Sequence, residues 1–148
     1  MTFLGYLTLF LSAFGAATIL PGSSEVVLSA LLLKYPEALV ALLLVATIGN
    51  TLGASVNWAL GRFLMRFQDR RWFPASPKRI DQATRLFERY GYPILLMSWV
   101  PLIGDAFTLA AGILRARFLP FLILVFIGKG ARYVAVSAGI WFGADLGT

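Results

Sequence analysis

The segment Ile19-Leu20-Pro21-Gly22-Ser23-Ser24-Glu25 breaks an apolar run that extends from Phe3 to Leu33, and this break constrains the fold more than any other feature. Proline removes a backbone hydrogen bond, and in hydrocarbon the freed carbonyls have no water to turn to. Broken backbone at membrane depth therefore persists only where protein or a wet cavity covers it. Glu25 sharpens the constraint. A charged side chain at the centre of a membrane helix costs about 2.5 to 3.5 kcal/mol on insertion scales, and an acid kept there marks a functional site by default.

The same device recurs as Trp99-Val100-Pro101-Leu102-Ile103-Gly104-Asp105, inside a second apolar run from Tyr92 to Leu114. Both breaks read proline, three residues, then an acid. The apolar stretches that follow, Val26 to Leu33 and Ala106 to Leu114, are too short to cross a core of about 30 Å as helices. Each reads as a half-helix, with Pro21, Gly22, Pro101 and Gly104 as the hinge or break positions. The plain alternative is a proline kink in an ordinary spanning helix that tolerates an acid.

At 148 residues, 59% hydrophobic and with a mean hydropathy of +0.79, the chain reads as one polytopic, all-α membrane domain. Its net charge of +6 gathers in one loop, which argues against nucleic acid and for a membrane surface. There is no cysteine and no histidine, which removes disulfides, thiolate nucleophiles, imidazole bases and most transition-metal sites. No metal, cofactor or catalytic residue is expected. The N-terminus lacks the basic region and cleavage site of a removed signal peptide.

Along the chain, Phe3 to Leu20 is apolar, and its sequence leaves open whether it spans or forms one arm of a hairpin. Ser23 or Ser24 is placed to cap the half-helix that begins near Glu25. Ala38 to about Met65 is a full span with Gly49, Gly53, Asn57 and Gly61 on one face, the small-residue pattern that packs membrane helices closely. Asn50 and Asn57 need partners inside the bundle, either the loose carbonyls of a broken hairpin or a polar path that they line. Arg62 to Arg89 is basic and reads as cytoplasmic by the positive-inside rule. Within it, Ser76-Pro77 starts an amphipathic helix with Ile80, Ala83, Phe87 and Tyr90 on one face, expected at the membrane interface or as a solvated linker. Phe118 to about Ala144 is the last span. It carries Lys129 and Arg132 too deep to be flanking residues, and a small-residue stripe at Ala131, Ala135, Gly139, Gly143 and Gly147.

The two halves repeat this order: a broken hairpin, then a span. Residues 1–65 form one repeat, 66–91 the basic loop and amphipathic helix, and 92–148 the second repeat. With the central loop cytoplasmic, and Arg115 to Arg117 on the same side, the hairpins open toward opposite faces. That is the inverted repeat of secondary transporters. Glu25 and Asp105 are then expected to approach each other and share a cavity with Arg132.

These segments together resemble the DedA superfamily, also called the VTT-domain or SNARE-associated family, and most closely its short YqaA-like branch. The resemblance runs through Leu20-Pro21-Gly22-Ser23-Ser24-Glu25, Gly49-Asn50-Thr51-Leu52-Gly53 with Asn57 to Gly61-Arg62, and Phe87-Glu88-Arg89-Tyr90-Gly91. It continues through Trp99 to Asp105 with Ala111-Gly112, and Gly128-Lys129 to Arg132-Tyr133. It implies a multi-pass inner-membrane protein with two opposed re-entrant hairpins. It also implies flipping of polyprenyl-phosphate or phospholipid carriers linked to the proton-motive force, with membrane lipids, lipid phosphate among them, as partners. One departure stands out: Ser98 and Gly104 occupy positions where the better-studied branch looks to carry arginines. Lys129 and Arg132 are the residues here that can supply that charge.

Three classes of function remain. The first is a transporter or flippase, with Glu25 and Asp105 as proton or cation carriers and Arg132 and Lys129 as their anion partners; a small ion or solute is an alternative cargo. The second is a structural or assembly factor in which the charges are salt-bridged locks, as a monomer or a homo-oligomer. The third, an intramembrane enzyme, has two carboxylates but no nucleophile, metal cluster or phosphate loop to accompany them.

Overall fold

The computed structural model describes residues 2–17, 22–63, 65–67, 69–71, 75–100 and 103–147, and among them every regular element is helical. In chain order these are α1 (Phe3–Ala16), α2 (Ser23–Lys34), α3 (Leu39–Phe63), α4 (Pro77–Tyr90), a 3-10 helix (Tyr92–Trp99), α5 (Ile103–Ile113) and α6 (Phe118–Leu146). Short 3-10 turns at Pro36–Ala38 and Met65–Phe67 flank α3. The prolines of both breaks, Pro21 and Pro101, lie outside the described residues.

Helix length divides these elements into two kinds. α3 and α6, of 25 and 29 residues, are apolar and, at about 1.5 Å per residue, exceed a hydrocarbon core of about 30 Å. α1, α2 and α5, of 14, 12 and 11 residues, fall short of it. This bears on the open question about Phe3 to Leu20, because the described helix stops at Ala16, after about 21 Å.

Each short element is held by its backbone lying close to a long helix. α1 packs on α3, where a Cβ on Gly49 would come within 2.7 Å of the Phe10 carbonyl and one on Gly53 within 2.5 Å of the Phe14 carbonyl. α5 crosses α3 at Gly61 and Gly112, whose added Cβ atoms would run into the carbonyls of Leu109 and Trp58. The 3-10 helix lies on α6, and α2 touches both α3 and α6. Lipid supplies no hydrophobic drive between helices, so such close approach, and the dispersion it gains, is what holds them together. The glycine face read from α3 therefore does pack. The corresponding stripe on α6 does not pack within the chain: a Cβ on Gly139 or Gly143 would have nothing within 4 Å. We expect Gly112→Ala to lower unfolding stability in detergent by about 1 to 3 kcal/mol, because backbone cannot move aside as a side chain can. Gly143→Ala should stay within about 0.5 kcal/mol of the parent in the same melt.

Several local expectations are corrected. Neither Ser23 nor Ser24 caps α2; its cap is Gly22, at φ 88°, with no side-chain bond. That left-handed geometry suits a residue without a Cβ. The arm before the second break is a 3-10 helix eight residues long with Pro93 near its start. α4 begins as read, with Ser76 Oγ accepting from the Arg79 amide at 3.4 Å and Pro77 in the first turn. Ile80, Ala83 and Phe87 are buried, but Tyr90 is 55% exposed, since Gly91 (φ 72°) turns the chain away there. The apolar face of α4 is covered by α5 and the 3-10 helix, with the Phe87 and Tyr92 rings 6.0 Å apart, and is not free for lipid. The link from α5 to α6 is a Schellman turn: the Ala116 amide reaches the Ala111 carbonyl at 2.8 Å and the Arg115 amide the Gly112 carbonyl at 3.1 Å. Arg115 takes the position usually given to glycine, at φ 57°.

Candidate functional site

Glu25 is the third residue of α2 and Asp105 the third of α5, so each acid sits in the first turn of the short helix that follows a break. A helix N-terminus favours negative charge there. Both acids find their cations on α6. Lys129 Nζ donates to Asp105 Oδ1 at 3.1 Å, and their side chains are 3% and 15% exposed. Arg132 donates through Nε and Nη2 to Glu25 Oε1, and this pair is more open, at 17% and 30%. Arg132 Nη1 also donates to the Trp99 carbonyl at 3.3 Å, just before the second break. One guanidinium thus ties the start of α2 to the end of the 3-10 helix.

The sequence leads us to expect the two acids to approach each other and share a cavity with Arg132, without saying which base each would meet. The structure gives each acid its own base, three residues apart on one side of α6, and brings all four groups to that helix.

The asparagines serve as ties between helices. Asn57 is fully buried and donates through Nδ2 to the Ala17 carbonyl at 2.9 Å and to Thr108 Oγ1 at 3.2 Å. It therefore satisfies a loose carbonyl at the end of α1, one of the two uses foreseen for it, and links that end to α5. Thr108 in turn donates to the Asp105 carbonyl at 2.6 Å. Asn50 Nδ2 donates to Tyr133 Oη at 2.7 Å, and Tyr133 shares a hydrogen bond of 2.8 Å with Ser24 Oγ.

Sequence reasoning missed that Tyr133 junction. The available signal was a tyrosine one residue beyond Arg132, whose hydroxyl must find a polar partner once buried. Among the described residues, Asn50 Oδ1, Thr51 Oγ1, Asn57 Oδ1 and Ser98 Oγ are buried without a hydrogen bond.

Packing explains the departure at Ser98 and Gly104. Ser98 is wholly buried, and a Cβ on Gly128 would stand 2.6 Å from its Oγ, while one on Gly104 would meet the Ser98 carbonyl. Arginine fits at neither position in this arrangement. Gly104 is thus a point of close packing inside α5, and the cations stand on α6.

Comparison with known proteins shows the family. Residues 20–142 match the VTT-domain family model. The chain belongs to the VTT-domain family. The VTT-domain chain is 43% identical over 135 residues to the inner membrane protein YqaA of Escherichia coli strain K12, covering 91% of this chain and 90% of that one. It is 38% identical to an uncharacterized protein of Haemophilus influenzae, over 86% of this chain and 82% of the relative. A protein of Lactococcus lactis described as alkaline phosphatase-like is 29% identical, with 83% of this chain and 64% of the relative covered. No solved structure matches. The VTT-domain chain is an inner-membrane protein, and among the described residues two helices are long and apolar enough to span.

Proposed function

We propose that this VTT-domain protein is a transporter of the DedA type, a lipid or polyprenyl-phosphate flippase or scramblase linked to the proton-motive force. The observation that carries the reading is that two acids, each opening a short helix after a break, are neutralised by two bases on one long helix. In such a pair a proton competes with the base for the carboxylate, and a phosphate competes with the carboxylate for the base. Protonation of Glu25 or Asp105 releases Arg132 or Lys129 to hold a phosphate, and deprotonation expels it. The Glu25–Arg132 pair, being more open, would meet the phosphate first. Arg132 would carry the change to both breaks, since it holds α2 and the Trp99 carbonyl together.

In this reading α1–α2 and the 3-10 helix with α5 are re-entrant hairpins of an inverted repeat. The packing supports it: each broken arm lies on the long helix of its own half, and α2 and α5 reach across to α6 and α3. A second reading, an assembly factor, is favoured by the closure of both ion pairs.

Reconstituted vesicles test the proposal. A fluorescent lipid phosphate should cross faster than in protein-free vesicles, and collapse of a proton gradient should slow it. In the same vesicles, cysteines replacing Lys78 and Arg115 should react from one side. Labelling from opposite sides would make the second hairpin a true span and remove the inverted repeat.

A further inference from the structure

The seam between α3 and α6 carries an open groove of about 360 Å³ walled by Ile48, Leu52, Leu122, Ile123, Phe126 and Ile127. Its floor is set by Thr51, and Arg62 follows on the same helical face, about three turns and 16 Å along the axis. That is close to the depth of one leaflet, half of a core of about 30 Å. At this end the aromatic packing is specific. Trp58 Nε1 donates to the Ala116 carbonyl at 3.1 Å, its ring lies 5.2 Å from Phe118, and the Arg62 guanidinium stacks over it at 5.4 Å. Arg62 thereby stacks on the ring that packs against Phe118, the first residue of α6, which follows Arg117 at the N-cap position.

Arg62, Arg115 and Arg117 pair with no carboxylate among the described residues, unlike Arg85, Lys129 and Arg132. They give this end of the seam a cationic character, about one leaflet along the helices from the apolar groove. Basic pockets between membrane helices are of the kind that takes anionic lipid headgroups.

We propose that the α3–α6 seam is the seat of one resident anionic phospholipid, with an acyl chain in the groove and its phosphodiester on Arg62 and Arg117. The lipid stays in its leaflet and is separate from any cargo at Glu25 and Asp105, so the inference does not depend on the transport reading.

Native mass spectrometry of the full chain in detergent tests this, with phosphatidylglycerol and phosphatidylcholine of identical chains titrated in competition. The expected result is one retained lipid with about a tenfold preference for phosphatidylglycerol, a factor that corresponds to about 1.4 kcal/mol. Arg62→Gln with Arg117→Gln should abolish the preference, and Arg62→Lys with Arg117→Lys should keep most of it. Ile123→Trp, which fills the groove without touching a charge, should reduce retention of both lipids. Lys78→Gln with Arg79→Gln on α4 should change nothing. Circular dichroism melts establish that each variant is folded, and Ile123→Trp decides if the double arginine variant is not. Equal retention of the two lipids, a preference that survives loss of both arginines, or a lipid-free dimer dissolved by Ile123→Trp would each overturn the proposal.

Discussion

Lys129→Met should destabilise the protein by about 3 to 5 kcal/mol, the largest stability loss expected from a single side chain here. Lys129 is 2% exposed, and its ammonium holds Asp105 at 3.1 Å, joining α6 to α5. Removing the base leaves a mostly buried carboxylate without its hydrogen-bonded partner, and that desolvation is the source of the loss. Adding Asp105→Asn to Lys129→Met removes the orphaned charge, so the double variant should recover most of the stability. By contrast, Arg85→Ala should shift stability by about 0.5 kcal/mol or less, since its pair with Asp81 is 75% and 58% exposed and joins neighbouring turns of α4. Thermal unfolding in detergent separates these cases. If Lys129→Met and the double variant melt together, well below the parent, the two residues are not energetically coupled.

Much of this site was legible in the sequence because membranes penalise charge and broken backbone so heavily. Glu25, Asp105, Lys129 and Arg132 stood out as ionisable groups inside apolar runs, and Gly49, Gly53 and Gly61 as a face made for close approach. The start of α4 followed from Ser76 and Pro77. Which acid meets which base was not legible. That depends on how α2 and α5 are rotated against α6, and no periodicity within one helix fixes a rotation between two. The serine cap failed for a related reason. Ser24 has a better partner than the α2 amides in Tyr133, a residue 109 positions away in the chain. Tyr90 continued the periodic face of α4 on paper, yet the helix ends at it and Gly91 turns the chain aside. The α6 stripe shows the converse, since spacing marks a surface that can pack without saying that anything does.

The second large effect concerns transport, and it follows from the acids being tied to α6. Glu25→Gln and Asp105→Asn keep an oxygen for Arg132 and Lys129 to donate to while deleting the site that binds a proton. Both variants should therefore insert and fold. In the transporter reading the bases are freed only when an acid takes up a proton, so a neutral amide cannot switch between holding its base and releasing it. Loss of gradient-dependent transport should be near complete for either variant, whichever of the two pairs limits the cycle. Arg132→Ala should change the pH dependence as well as the rate, because Arg132 faces Glu25 directly and its charge also reaches Asp105.

The decisive measurement is the rate at which a fluorescent lipid phosphate crosses reconstituted vesicles, taken across a range of pH with and without a proton gradient. It compares the parent with Glu25→Gln and Asp105→Asn at matched insertion. The account predicts a gradient-dependent rate for the parent and a rate near that of protein-free vesicles for both variants. Variants that insert normally and transport as fast as the parent at every pH would contradict it, and the two ion pairs would then be structural locks.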